Sequence, residues 1–174
     1  MSARTPPPEI RAACEDDCPA LARLIQLAYK DVALRFGLTP KNCPKHPSNC
    51  TDAWIRSDLE RGVTYSILES GPILVGCAAL ETTDPAVAYL MRLAVRPEFR
   101  RRGFGEMLVQ HIISQSRRLA MPSISIGLIA EQEELAAWYV KLGFILGETK
   151  QFDHLPFTVR YMAYPLLPGA PESI

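Results

Sequence analysis

The sequence predicts a single mixed α/β domain from three observations. Apolar residues recur with period two in some stretches and at helical spacing in others, and the two kinds of stretch alternate along the chain. No linker, internal repeat or low-complexity tract separates them. The 174 residues, 48% hydrophobic and 22% charged, suffice for one domain with a real core and are too few for two comfortable ones.

The domain is expected over residues 9–167, between an N-terminal tail, 1–8, rich in proline, and a C-terminal tail, 168–174. Glu9 to Cys14 reads as a first strand. Asp16, Asp17 and Pro19 suit a helix start, Leu21, Leu24, Ile25 and Ala28 follow at core-facing spacing, and Gly37 stops the helix. After a proline-rich loop, Thr51 caps a short helix carrying Trp54, Ile55 and Leu59, which ends at Gly62. Val63 to Leu68 and Ile73 to Glu81 alternate as strands around the turn at Ser70-Gly71-Pro72. On the second of them Ile73, Val75, Cys77, Ala79 and Glu81 share a face by period two, so a carboxylate ends an apolar row. Val87 to Val95 is the next strand, and a helix runs from about Phe104 to Ala120, where Pro122 prevents its continuation. Ile124, Ile126 and Leu128 alternate as a strand, Glu131 to Leu142 is helical with Gly143 after it, and Phe144 to Thr149 and Thr158 to Tyr164 are the last strands.

Composition excludes several classes of function. Nineteen basic and nineteen acidic residues cancel, so no global field draws the chain to nucleic acid or to an anionic membrane. No apolar run reaches the ~20 residues of a membrane span, and Ser2 to Glu9 is not a secretion signal. Five cysteines, an odd number, then read as reduced thiols in a cytoplasmic protein.

The densest chemical signal is the passage from strand to helix at Val95-Arg96-Pro97-Glu98-Phe99-Arg100-Arg101-Arg102-Gly103-Phe104-Gly105. The amides of a first helical turn have no partner within the helix and sit at the positive end of its dipole. Glycines let a ligand approach those amides, and three arginines beside them favour a polyanion. The wider text, Leu93-Ala94-Val95 followed by Pro97, Arg100, Gly103 and Gly105, resembles the acetyl-CoA signature of the GCN5-related N-acetyltransferase superfamily, whose core is Arg/Gln-x-x-Gly-x-Gly/Ala. A second segment, Trp138-Tyr139-Val140-Lys141-Leu142-Gly143-Phe144, is similar to that family's Phe-Tyr-x-Lys-x-Gly-Phe.

The resemblance implies a twisted, mixed but mostly antiparallel sheet of about seven strands, flanked by about four helices and splayed into a V between central strands. It implies transfer of an acetyl group from acetyl-CoA to an amine by direct attack in a ternary complex, with no metal and with a homodimer as a common assembly. Arg100, Arg101, Arg102, Gly103, Phe104, Gly105 and Glu106 would hold the pyrophosphate, and main-chain groups of Leu93 and Val95 the pantetheine arm. Tyr139 falls where the family places the acid that protonates the leaving thiolate; its other reading is a tyrosine packed beside Trp138. Some members carry a glutamate on the strand before the glycine loop, whereas the inward positions here are Tyr89 and Met91. Glu81 on the neighbouring strand is the first substitute base, against a water-facing strand-end carboxylate, and His154, before the last strand, is the second.

His46, Trp54 and Arg92 are candidate acceptor contacts. Arg92, read as sharing a face with Leu90 and Ala94, suits either an anionic group of the acceptor or a pairing with Glu81 or another acid. Cys43, His46 and Cys50 offer thiolate and imidazole ligands but no fourth, so a proline-braced loop stands beside a zinc site as their reading. A non-catalytic acyl-CoA sensor of the same fold remains the rival to an enzyme. A nucleic-acid binder using the arginine run is a third reading, disfavoured by the neutral charge.

Overall fold

In the computed structural model, which describes residues 6–166, seven strands and four helices alternate. They are β1 (Glu9–Ala12), α1 (Cys18–Phe36), α2 (Asp52–Glu60), β2 (Thr64–Ser70), β3 (Ile73–Glu81), β4 (Ala88–Val95), α3 (Phe104–Arg118), β5 (Ser123–Ile129), α4 (Glu133–Lys141), β6 (Ile145–Gln151) and β7 (Thr158–Pro165). The expected C-terminal tail, 168–174, and the first five residues of the N-terminal tail lie outside the described residues. The helices start and stop where local chemistry dictates. Pro19 opens α1 and Gly37 closes it, while the Thr51 hydroxyl accepts from the Trp54 amide at the start of α2.

The strands form one sheet in the order β1-β2-β3-β4-β5-β7-β6, antiparallel except between β4 and β5. That parallel pair is short: only Ala88 with Ile124 and Tyr89 with Ser125 are in register, after which the strands diverge. Helices α1 and α2 cover one face of β2 to β4, and α3 covers the other from β2 to β5. Each face has its own core. Leu21, Ile25, Ile55, Tyr65, Ile67, Cys77 and Ala79 fill the first, and Ala78, Leu80, Leu90, Leu108, Ile112, Ile124 and Met162 fill the second.

Two breaks of register correct the period-two reading. At the first, β3 gains a residue against Leu68 and Glu69 of β2, so Val75 joins the α3-side core while Cys77 and Ala79 face α1 and α2. The expected row from Ile73 to Glu81 therefore lies on two faces. At the second, Cys77 pairs with Ala94 but Ala79 with Met91, which inserts one residue into β4 at Arg92, where φ is +49°. Leu90 thus faces α3 and Ala94 faces α1 and α2, and Arg92 does not share the face of Leu90.

Candidate active site

The divergence of β4 and β5 opens a cleft of about 580 Å³. That volume is in the range of small-molecule sites. Among the described residues, β4 has no strand partner on its β5 side beyond Tyr89, so its backbone edge lies outside the ladder along one wall. Tyr139 and Leu135 of α4 reach the cleft from the α3 side; Tyr29, His46 and Pro47 reach it from the other.

The bulge at Arg92 is held from behind by side chains. The Tyr29 hydroxyl donates to the Leu93 carbonyl at 2.9 Å, and the Cys77 thiol to the Arg92 carbonyl at 3.7 Å. A bulge leaves backbone groups out of the ladder, and these two contacts satisfy them. Tyr29 also meets the His46 ring edge-on, with centroids 5.8 Å apart. Leu93 and Val95 pack against the α3-side core, and of the two Leu93 lines the cleft.

After β4, Pro97–Phe99 makes one tight turn, and Arg101 and Gly103 adopt left-handed backbone conformations, φ +62° and +82°, before α3 begins. The first backbone bond into the helix is from Met107 N–H to Gly103. Among the described residues, the N–H groups from Arg101 to Glu106 find no acceptor in the chain. A row of unpaired amides at the positive end of a helix, next to the open end of the cleft, fits a pyrophosphate. At Gly105 an added Cβ would lie 3.4 Å from the Trp138 ring, so the two recognition segments of the sequence touch here.

The three arginines divide their work. The Arg100 guanidinium donates to Asp31 at 2.7 Å and to the Ala28 carbonyl at 2.6 Å, which ties the loop to α1. Arg102 bonds the Glu98 carbonyl at 3.2 Å and lies over Phe99. Arg101, exposed, has no side-chain partner among the described residues.

Tyr139 is 6% exposed, with its ring between Trp138 and Phe144. Among the described residues its hydroxyl has no hydrogen-bond partner, it is not fully sealed from solvent, and Tyr139 lines the cleft. Burial pushes this phenol well above its ordinary range, with Tyr29 adding to the effect, and so keeps it protonated at neutral pH. Glu81 also lines the cleft. It pairs in register with Tyr89, next to the position where a β4 base would stand, and accepts from Arg61 Nη1 at 3.1 Å. His154 is exposed and stacks on Phe152; its neighbours Leu155 and Phe157 line the cleft in its place.

Arg92 pairs with Asp58 and not with Glu81. Asp58, 4% exposed, also accepts from the Tyr65 hydroxyl at 2.6 Å and from Arg61 Nη2 at 2.5 Å. Trp54 does not line the cleft; its ring lies 5.8 Å from the Arg92 guanidinium. The Cys43, His46 and Cys50 side chains do not converge, and among the described residues no group of three or more His, Cys, Asp or Glu is arranged around a metal position. Burial pushes the Cys50 thiol up to about 11 and raises Cys43 as well, so both are thiols at neutral pH. His46, its imidazole lowered by burial, bonds the Ser48 hydroxyl at 2.8 Å.

Sequence reasoning missed Tyr29, Asp58 and Tyr65. A signal existed for Asp58, which lies three residues after the buried Ile55 on the inner stripe of α2, where a carboxylate needs a partner.

Comparison with known proteins agrees with this geometry. Residues 29–144 match the Acetyltransferase (GNAT) family. The chain is 36% identical over 107 residues to an amino-acid acetyltransferase of Neisseria meningitidis, a match covering 60% of this chain and 23% of that protein. It is 31% identical over 103 residues to the uncharacterized N-acetyltransferase YvbK of Bacillus subtilis, covering 59% and 64% of the two chains. The matched part is thus about a quarter of the first relative and under two thirds of the second. In fold the chain resembles the ribosomal-protein-S18-alanine N-acetyltransferase of Escherichia coli, with TM-score 0.74, 18% identity, and 97% and 100% of the chains covered. It also resembles the PaiA N-acetyltransferase of Thermoplasma acidophilum, solved with coenzyme A, with TM-score 0.72, 16% identity, and 92% and 99% covered. With both sequence segments meeting at one splayed cleft and the family match spanning most of the chain, this protein belongs to the GNAT acetyltransferase family.

Proposed function

We propose that the protein is an acetyl-CoA-dependent N-acetyltransferase acting on a primary amine by direct attack in a ternary complex. The observation that carries this reading is the row of amides from Arg101 to Glu106, unpaired among the described residues, on the loop that follows β4 where it has diverged from β5, with Tyr139 lining the cleft between the two strands. The names of the relatives, an amino-acid acetyltransferase and an N-acetyltransferase, support the same class of activity. When bound, acetyl-CoA supplies an acyl group activated as a thioester.

This chain's residues supply the rest. The amides at Gly103, Phe104, Gly105 and Glu106, with the Arg101 side chain, hold the pyrophosphate. Arg100 and Arg102 fix the loop's shape through Asp31, Ala28 and Glu98. The free edge of β4 at Leu93 and Val95 takes the pantetheine arm as an added strand and presents an amide toward the charge that grows on the acyl oxygen. Tyr139 keeps its proton at neutral pH and gives it to the departing sulfur. Glu81, held by Arg61 at 3.1 Å, accepts the amine's proton, directly or through water. His46 and Arg92 border the acceptor, and Trp54 backs Arg92.

Coenzyme A release measured with a panel of primary amines tests the reading. Tight acetyl-CoA binding without turnover of any amine would favour the sensor alternative and refute it. Tyr139→Phe should lower kcat by ~10²-fold with a smaller change in the KM for acetyl-CoA; an unchanged kcat returns Tyr139 to a packing role.

A further inference from the structure

Resting on the acetyltransferase reading, we infer that the acceptor is a free amino acid with an apolar side chain, its α-carboxylate bound by Arg92. Arg92 uses only Nη1 within the chain, toward Asp58 and the Tyr65 hydroxyl. Its Nε and Nη2 have no partner among the described residues and are not among the buried unpaired atoms, so these donors open onto the cleft that Arg92 lines. The guanidinium is held in place by its pair with Asp58 and by the rings of Trp54 and Tyr65, 5.8 and 6.0 Å away. A fixed planar guanidinium with two adjacent N–H groups free matches the two oxygens of a carboxylate.

Charge balance restricts what else the acceptor carries. Arg61 and Arg92 are already matched by Asp58 and Glu81. A ligand with one ammonium and one carboxylate preserves that balance. Among the described residues, Glu81 and Arg92 are the only charged side chains that line the cleft. A second carboxylate, as in an acidic amino acid, or a second ammonium would be desolvated there without a counter-charge. An apolar wall for the side chain stands on the sheet beyond β4, with Val32 of α1 also lining the cleft. That wall is made by Leu155, Phe157, Val159 and Tyr161 over Gly127, where an added Cβ would already touch Val159 at 3.4 Å and Tyr161 at 3.7 Å.

The test measures kcat/KM with acetyl-CoA for leucine and phenylalanine, for their C-terminal amides, for isoamylamine and phenethylamine, and for glutamate. The free amino acids should exceed their amides and the decarboxylated amines by at least ~10-fold, which one charge-assisted hydrogen bond accounts for, and should exceed glutamate. Amides or plain amines that serve equally well, or glutamate as the best acceptor, would overturn the inference while leaving the acetyltransferase reading intact. Absence of turnover for every amine would overturn both. In Arg92→Gln, checked for folding by circular dichroism, the ratio of acid to amide should fall toward one. An unchanged ratio in the folded variant also counts against Arg92, and the wild-type comparison decides the matter if the variant does not fold.

Discussion

Asp58→Ala is expected to destabilise the protein by ~3–5 kcal/mol, because it breaks a buried ion pair from one side. Asp58 is 4% exposed and receives Arg92, the Tyr65 hydroxyl and Arg61. Its removal leaves the guanidinium of Arg92, whose side chain is 19% exposed, without its carboxylate, and leaves the hydroxyl of Tyr65, 1% exposed, without an acceptor. The surface-exposed Arg61 adds little. Against a typical total of ~5–15 kcal/mol the loss is large, and for a chain of this length it lowers Tm by about 6–20 °C. Urea and thermal unfolding followed by circular dichroism measure it. Asp58→Asn should lose less, since a carboxamide oxygen can still accept from Tyr65. The double variant Asp58→Leu with Arg92→Met should cost less than the sum of the two single changes, because replacing a whole buried pair by apolar groups avoids the stranded charge. A loss below ~1 kcal/mol for Asp58→Ala, or strict additivity in the cycle, would refute the account of this pair.

Three further outcomes follow from the site. Tyr29→Phe keeps the ring but removes the donor to the Leu93 carbonyl; it should cost ~1 kcal/mol and weaken acetyl-CoA binding by calorimetry more than it alters kcat. Unchanged affinity would mean that the bulge holds its shape without Tyr29. Gly103→Ala places a side chain at φ +82° and should cost ~1–2 kcal/mol together with a loss of acetyl-CoA affinity, read by the same titration; a neutral substitution would show that the loop tolerates another conformation. Burial lowers the pKa of both His46 and His111, with the Arg118 charge adding to the effect at His111. Below the ordinary value of ~6.5 the unfolded chain therefore binds protons that the folded chain refuses, so this contribution to stability is complete above that pH and is lost as pH falls below it. Tm should decline between about pH 7 and pH 5.5, and less so in His111→Asn; a flat profile would contradict the burial argument.

Much of this protein was legible in its sequence because local rules write it there. Helix starts at Pro19 and Thr51, the stop at Gly37, the order of strands and helices, and the glycine turn into α3 each follow from residues close together in the chain. The anion-binding character of the loop before α3 was legible for the same reason: amides at a helix start are unpaired whatever the rest of the fold does. Long-range contacts decided the remainder. Period-two reading placed Arg92 with Leu90, and ran Val75 in one row with Cys77, because it assumes that no residue is inserted between pairing strands. The bulges at Val75 and Arg92 arise only when β2, β3 and β4 register against one another under α1 and α3. Likewise, three adjacent arginines are equivalent as text, but α1 engages Arg100 through Asp31, while Arg101 has no side-chain partner among the described residues. The sequence alone thus determined the strand, glycine turn and helix start on which the cofactor expectation rests. Which side chains line the cleft was settled by the tertiary structure, because Glu81, Arg92, Tyr29 and Phe157 come from segments that meet only when the sheet splays.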